Sequence, residues 1–156
     1  MQDSYGRTID YIRISVTDQC NLRCIYCMPE GCIYKVPKQM LNDDQILMLC
    51  RCFAQLGVSR VKITGGEPLL RPQVPTLIKE IRQIPGIRSV TLTTNGILLG
   101  KYLPQLVKAG LTGVNISIDS LNSSHYQQIS GRNRLLPVMD SLKAALSYQD
   151  LVTKLH

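Results

Sequence analysis

Tryptophan is absent from this chain of 156 residues and phenylalanine occurs once, so there is little from which to build a base-stacking platform for nucleic acid. Long hydrophobic runs are missing too. Gly96-Ile97-Leu98-Leu99-Gly100 is among the longest, far below the roughly 20 residues that cross a bilayer, so no membrane span is expected. Histidine is scarce, and His125 and His156 both lie far along the chain from the cysteines near its start. A closed four-ligand zinc site there would lack its last ligand. Basic blocks are absent as well: 18 Lys and Arg outnumber 11 Asp and Glu for a formal charge of +7, but they are scattered. That balance suits either a solvated basic surface or a small anionic partner such as a nucleotide. No secretory leader is recognised, so six closely spaced cysteines point to a reducing, cytoplasmic compartment rather than to disulfides.

What is present reads as one globular domain over 1–156, with 44% hydrophobic and 19% charged residues and a sizeable core. Short β-branched runs alternate with longer helical patterns, the signature of repeated βα units and a parallel sheet. Strands are predicted at Tyr11 to Thr17, Arg60 to Thr64, Ser89 to Thr93, Gly113 to Ile118 and Leu151 to His156. Four helices are predicted, at about Asn42 to Leu56, Pro72 to Ile84, Leu98 to Ala109 and Pro137 to Ser147. Pro72 is expected to open the second helix, Pro85-Gly86 to stop it and Ala109-Gly110 to close the third. Met28 to Leu41, with Pro29, Gly31 and Pro37 and no period, reads as a loop.

Cys20, Cys24 and Cys27 form a C-x3-C-x2-C run. Three thiolates are one short of what a cubane iron-sulfur cluster takes, so one iron is left open for a small molecule. Gly65-Gly66-Glu67-Pro68 follows the second strand, Thr94-Asn95-Gly96 the third and Asp119-Ser120 the fourth. All these motifs are expected on one rim, at the strand ends where parallel α/β folds build their sites. The two glycines suggest backbone brought close to a ligand, with free amide and carbonyl groups. Cys50 and Cys52, two positions apart on a helical pattern, should point to different faces, Cys50 as a buried thiol. Cys32 receives no role.

The three cysteines and the GGE segment resemble those of the radical S-adenosylmethionine superfamily. Further stretches narrow the resemblance: Tyr11-Ile12-Arg13-Ile14-Ser15-Val16-Thr17-Asp18, Ile63-Thr64-Gly65-Gly66-Glu67-Pro68-Leu69-Leu70-Arg71, Leu92-Thr93-Thr94-Asn95-Gly96 and Val114-Asn115-Ile116-Ser117-Ile118-Asp119-Ser120-Leu121. They are similar to the GTP 3',8-cyclases of molybdenum cofactor biosynthesis. That resemblance implies an α/β fold, a parallel (β/α) partial TIM-like barrel of the radical SAM type.

It also implies that Cys20, Cys24 and Cys27 hold a [4Fe-4S] cluster and that Tyr26, Gly66 and Ser117 contact S-adenosylmethionine. GTP as substrate would meet Arg13, Lys62, Thr93 and Lys154. Lys62 stands where the family has Arg, which keeps the charge but loses the bidentate fork. The implied reaction is radical: reductive cleavage of S-adenosylmethionine yields a 5'-deoxyadenosyl radical, which removes the ribose 3' hydrogen so that the sugar carbon attacks C8 of guanine. The cofactors supply that chemistry and the protein supplies placement and charge. No protein acid or base is assigned, a reducing electron donor is required, and a homodimer is a possible state.

The family is about twice this long. On the resemblance the chain ends on the fifth strand of a six-stranded partial barrel, truncated before the sixth strand and a C-terminal region with a second three-cysteine cluster. An exposed last strand leads us to expect poor stability in isolation. Two other readings stay open: an inactive fragment or iron-sulfur module, and a radical enzyme acting on a peptide.

Overall fold

The computed structural model describes residues 2, 4–27 and 40–156. The loop expected over Met28 to Leu41 lies outside them apart from its last two residues, as does Cys32. Five strands form one parallel sheet whose spatial order equals the chain order: β1 (Tyr11–Ser15), β2 (Arg60–Thr64), β3 (Ser89–Thr94), β4 (Gly113–Ile116) and β5 (Val152–Leu155). Between them run α1 (Asp43–Gln55), α2 (Val74–Arg82), α3 (Leu99–Lys108), α4 (Ser123–Ser130) and α5 (Leu135–Leu146). The parallel sheet expected from the βα alternation is therefore present with all five strands, as the partial barrel implied by the resemblance requires.

The strands alternate in a way that a sheet covered on both faces would not. Val61, Ile63, Val90, Leu92, Val114 and Ile116 are fully buried in one core with Ile46, Leu77, Ile78, Leu103 and Val138 from the helices. Successive side chains point to opposite faces, so the positions between them fall on the other side. There the register aligns Arg13 with Lys62 and Lys62 with Thr91, and one row further along Thr93 with Asn115 and Asn115 with Lys154. Helices thus cover the apolar face, and a polar face is left for a site.

Three expectations need correction. There are five described α-helices rather than four. α4 forms in the polar stretch Ser123–Ser130 because the Asn122 side chain accepts the His125 N–H at 3.1 Å and Gly131, at φ +72, closes it left-handed. Pro72 does not open α2; the helix starts at Val74 with a proline in its first turn, after a 3-10 turn over Pro68–Leu70. α5 starts at Leu135 rather than Pro137. The strand ends differ only in where regular geometry stops: Val16 N–H still donates to the Thr64 carbonyl at 2.9 Å and Ile118 N–H to that of His156 at 3.0 Å.

Candidate functional site

The chain leaving β1 carries the three cysteines, and the turn after β2 fixes where it goes. The Gly66 N–H donates to the Thr17 carbonyl at 2.8 Å and the Glu67 N–H to that of Gln19 at 2.7 Å. A Cβ on Gly66 would stand 2.3 Å from the Gln19 oxygen and 2.7 Å from the Asp18 oxygen, and one on Gly65 2.4 Å from the Thr17 oxygen. The close approach that demands these glycines is thus to the cysteine segment itself. The Gly66 amide, expected to be free for a ligand, is spent on that segment, as is the amide of Glu67.

Glu67 is fully buried, and its carboxylate is met by three donors. Oε1 accepts from Thr94 Oγ1 at 2.8 Å and from the Leu69 N–H at 3.0 Å, and Oε2 from the Asn95 N–H at 2.8 Å. Burial raises its pKa, while those three bonds pull it down. A buried carboxylate left without donors is costly, so Glu67 locks the ends of β2 and β3 together. Asn95 is held at its side chain as well: Oδ1 accepts the Ile97 N–H at 3.1 Å, and Nδ2 donates to Asn21 Oδ1 at 2.7 Å and lies 4.0 Å from Cys20 Sγ.

The far side of the cysteine segment rests on later elements. Arg23 and Ile25 N–H groups donate to the Ser130 and Ile129 carbonyls, each at 2.9 Å, so the helix missed from the sequence is what the segment docks on. Tyr26 donates its hydroxyl to the Asp119 carboxylate just past β4, at 3.1 Å to Oδ2 and 3.2 Å to Oδ1. Asp119 and Asn95 lie in strand-end motifs visible in the sequence. Their link to the cysteine segment was not, because pairing across 93 and 75 positions leaves no local pattern.

One cavity of about 220 Å³ gathers Cys20, Cys24, Cys27, Tyr26, Gly66, Thr93 and Ser117, together with Asn95, Asp119 and Tyr126. The cysteines, Gly65 and Gly66 also line an adjoining cavity with Ser15, Thr17 and Asp18. Burial pushes the Cys24 thiol up despite the nearby Tyr26 hydroxyl, and burial pushes up Cys27 as well. The Tyr26 phenol is also raised, by burial and by Cys24.

Three observations bear on whether this set fits a cluster. All three thiols are free and line one cavity. Among the described residues no three Cys, His, Asp or Glu side chains, as they stand, converge tightly enough to hold a metal ion. Thr93 Oγ1 is buried without a hydrogen-bond partner, an orphan that a ligand in the same cavity would satisfy. The donor set and the cavity therefore fit an iron-sulfur cluster with a polar ligand beside it.

The remaining expected residues fall elsewhere on the polar face. Lys62 and Lys154 line a second cavity of about 380 Å³ with Tyr11, Arg60, Thr91 and Asn115, toward the starts of the strands. Lys62 Nζ lies 6.0 Å from the centroid of the Tyr11 ring. Arg13 lines neither cavity but a shallow groove with Leu41, Leu49 and Phe53, although the register sets it beside Lys62. Cys50 is fully buried and Cys52 exposed, as their spacing predicts. No helix among the described residues is long and apolar enough to cross a membrane.

A half-open βα barrel with three thiols on its rim defines a cluster-carrying domain. The chain belongs to the radical SAM superfamily, whose profile matches residues 14–154, and a [4Fe-4S] cluster with S-adenosylmethionine is that superfamily's cofactor pair. It is 50% identical over 147 residues to a GTP 3',8-cyclase of Petrotoga mobilis, spanning 94% of this chain and 46% of that protein. It is 45% identical to the molybdenum cofactor biosynthesis protein 1 of Bos taurus, over 94% of this chain and 23% of the other. The chain thus spans less than half the length of these relatives. Among solved structures, methylornithine synthase shares the fold at a TM-score of 0.73 and 14% identity, over 93% of this chain and 43% of that one. BtrN in complex with AdoMet and 2-DOIA does so at 0.64 and 22%, over 96% and 58%.

Proposed function

We propose that this chain is the cluster-bearing half barrel of a GTP 3',8-cyclase, the radical SAM enzyme of the first step of molybdenum cofactor biosynthesis. Cys20, Cys24 and Cys27 hold the [4Fe-4S] cluster, Tyr26, Gly66 and Ser117 contact S-adenosylmethionine, and Arg13, Lys62, Thr93 and Lys154 contact GTP. What supports the reading most directly is that seven of these ten residues, from four different strand ends, line one cavity. The identity to curated cyclases supports the choice of substrate.

When bound, the cluster and S-adenosylmethionine supply one-electron cleavage and a carbon radical, fed by a reducing electron donor. The chain's own part is placement. Glu67 and the two glycines set the cysteine segment against the sheet, and Thr93 offers a buried hydroxyl to a ligand. Lys62 and Lys154 add positive charge on the polar face, toward the strand starts, where a triphosphate would be held. Gly66 contributes closeness of approach rather than its amide, which the Thr17 carbonyl already uses.

The test is anaerobic: reconstitute the protein with iron and sulfide, reduce it, and follow 5'-deoxyadenosine from S-adenosylmethionine with and without GTP. Cleavage that responds to GTP, alongside GTP binding by calorimetry, is the expected result. A protein that takes up cluster and S-adenosylmethionine but does not bind GTP is not this cyclase.

A further inference from the structure

We propose that Asn95 is a positioning residue for the iron-sulfur cluster, its side-chain amide serving as a hydrogen-bond donor to the Cys20 thiolate that raises the cluster's reduction potential. This rests on the cluster reading above and adds a residue to it.

The orientation of the amide is settled by its surroundings rather than assumed. Oδ1 accepts the Ile97 N–H at 3.1 Å, so it cannot be exchanged with Nδ2 without setting donor against donor. Nδ2 then faces the cysteine segment, with one proton donated to Asn21 Oδ1 at 2.7 Å and the other available to Cys20 Sγ at 4.0 Å. The backbone of Asn95 is pinned in turn by Glu67 Oε2 at 2.8 Å, and that carboxylate is buried and shared with Thr94 and Leu69. The amide is therefore held from both ends, its backbone by the turn after β2 and its side chain by the segment that carries the thiols.

Cys20 is the thiol this arrangement singles out. It also faces the Leu22 N–H at 3.5 Å, so two N–H groups converge on one sulfur. N–H groups aimed at a cluster thiolate stabilise the more negative, reduced state, and hydrogen bonds to the sulfurs are among the main determinants of cluster potential. The shift is the difference in that bond's strength between the two oxidation states; a tenfold change in the reduced-to-oxidised ratio at fixed poise is about 59 mV for a one-electron couple.

The experiment is an EPR-monitored redox titration of the reconstituted protein and of Asn95→Ala, each scored for iron content and melting temperature. The variant, with its full complement of iron, is expected to show a reduced-to-oxidised ratio about tenfold smaller at the wild-type midpoint. An unchanged midpoint in a fully loaded Asn95→Ala protein overturns the proposal. Should the variant fail to fold or load, protein labelled with nitrogen-15 only in asparagine side chains, in an Asn21→Asp background that keeps the Oδ1 acceptor but removes the other amide beside Cys20, decides the matter. Pulsed EPR of its reduced cluster should show nitrogen-15 coupling, and absence of coupling overturns the assignment. If the wild type itself binds no iron-sulfur cluster, it is the cluster reading that fails, and the titration separates that outcome from an unshifted midpoint.

Discussion

The Tyr26 hydroxyl donates to both carboxylate oxygens of Asp119, at 3.1 and 3.2 Å, so a residue inside the cysteine run is tied to the end of β4, 93 positions away. The tie sets the phenol ring over the cavity that the thiols line. Tyr26→Phe removes it while keeping the ring. The expected outcome is S-adenosylmethionine affinity lowered by roughly fivefold with iron content unchanged, measured by equilibrium binding to the reconstituted protein. Affinity equal to wild type would show that the tie does not position the cofactor.

Gly66→Ala is expected to be much worse. Its Cβ would stand 2.3 Å from the Gln19 oxygen and 2.7 Å from that of Asp18, both rigid backbone, so the cysteine segment must move. A loss of at least about 3 kcal/mol is expected in a urea titration, together with poor cluster loading. A variant that melts with the wild type would contradict the packing described here.

Lys62 sits on the polar face between Arg13 and Thr91 in the register. Lys62→Ala should weaken GTP binding by roughly tenfold, and Lys62→Arg, which supplies two parallel donors, should match or exceed wild type. Calorimetric titration with GTP checks both. Equal affinity in all three proteins would remove Lys62 from the nucleotide site.

Cys50 gives a pH prediction. Burial pushes its thiol from 9.0 up to about 11, so the folded state holds the proton more tightly than the unfolded chain. The resulting stability is fully present below pH 9 and is lost as pH rises toward 11. The denaturant midpoint should fall across that window, and Cys50→Ala should flatten this part of the fall. At pH 8.5, roughly half a unit below the unfolded value, iodoacetamide should label exposed Cys52 and spare Cys50, as read by mass spectrometry. Equal labelling of the two in folded protein would show that Cys50 is not sealed in the core.

The strands were legible because each is a short run of β-branched residues with alternate apolar positions, as in Arg60–Thr64, and because a polar motif follows each of the first four. α1 was legible from its period, and its start is fixed by reciprocal bonds between Asn42 and Gln45 at 2.9 and 3.0 Å. α4 escaped because Ser-Ser-His-Tyr-Gln-Gln-Ile-Ser has almost no apolar stripe; only Tyr126 and Ser130 are buried. Its available signals were the caps, Asn122 before it and Gly131 after it. The cysteines could be grouped from spacing alone, since they are close in sequence. Asn95 and Asp119 were placed on the same rim by their strand-end motifs, but the bonds by which they and the end of α4 hold the thiol segment were not legible. Those contacts exist only once the strand ends are side by side.

Because the sheet adds its strands in the order the ribosome makes them, the cysteine segment is fastened in instalments. Gly66 and Glu67 catch residues 17 and 19, Asn95 then reaches residues 20 and 21, Asp119 takes Tyr26, and the end of α4 takes residues 23 and 25. Each successive βα unit thus closes a longer loop back onto the same dozen residues, so that losing any one unit releases a different part of the thiol-bearing segment.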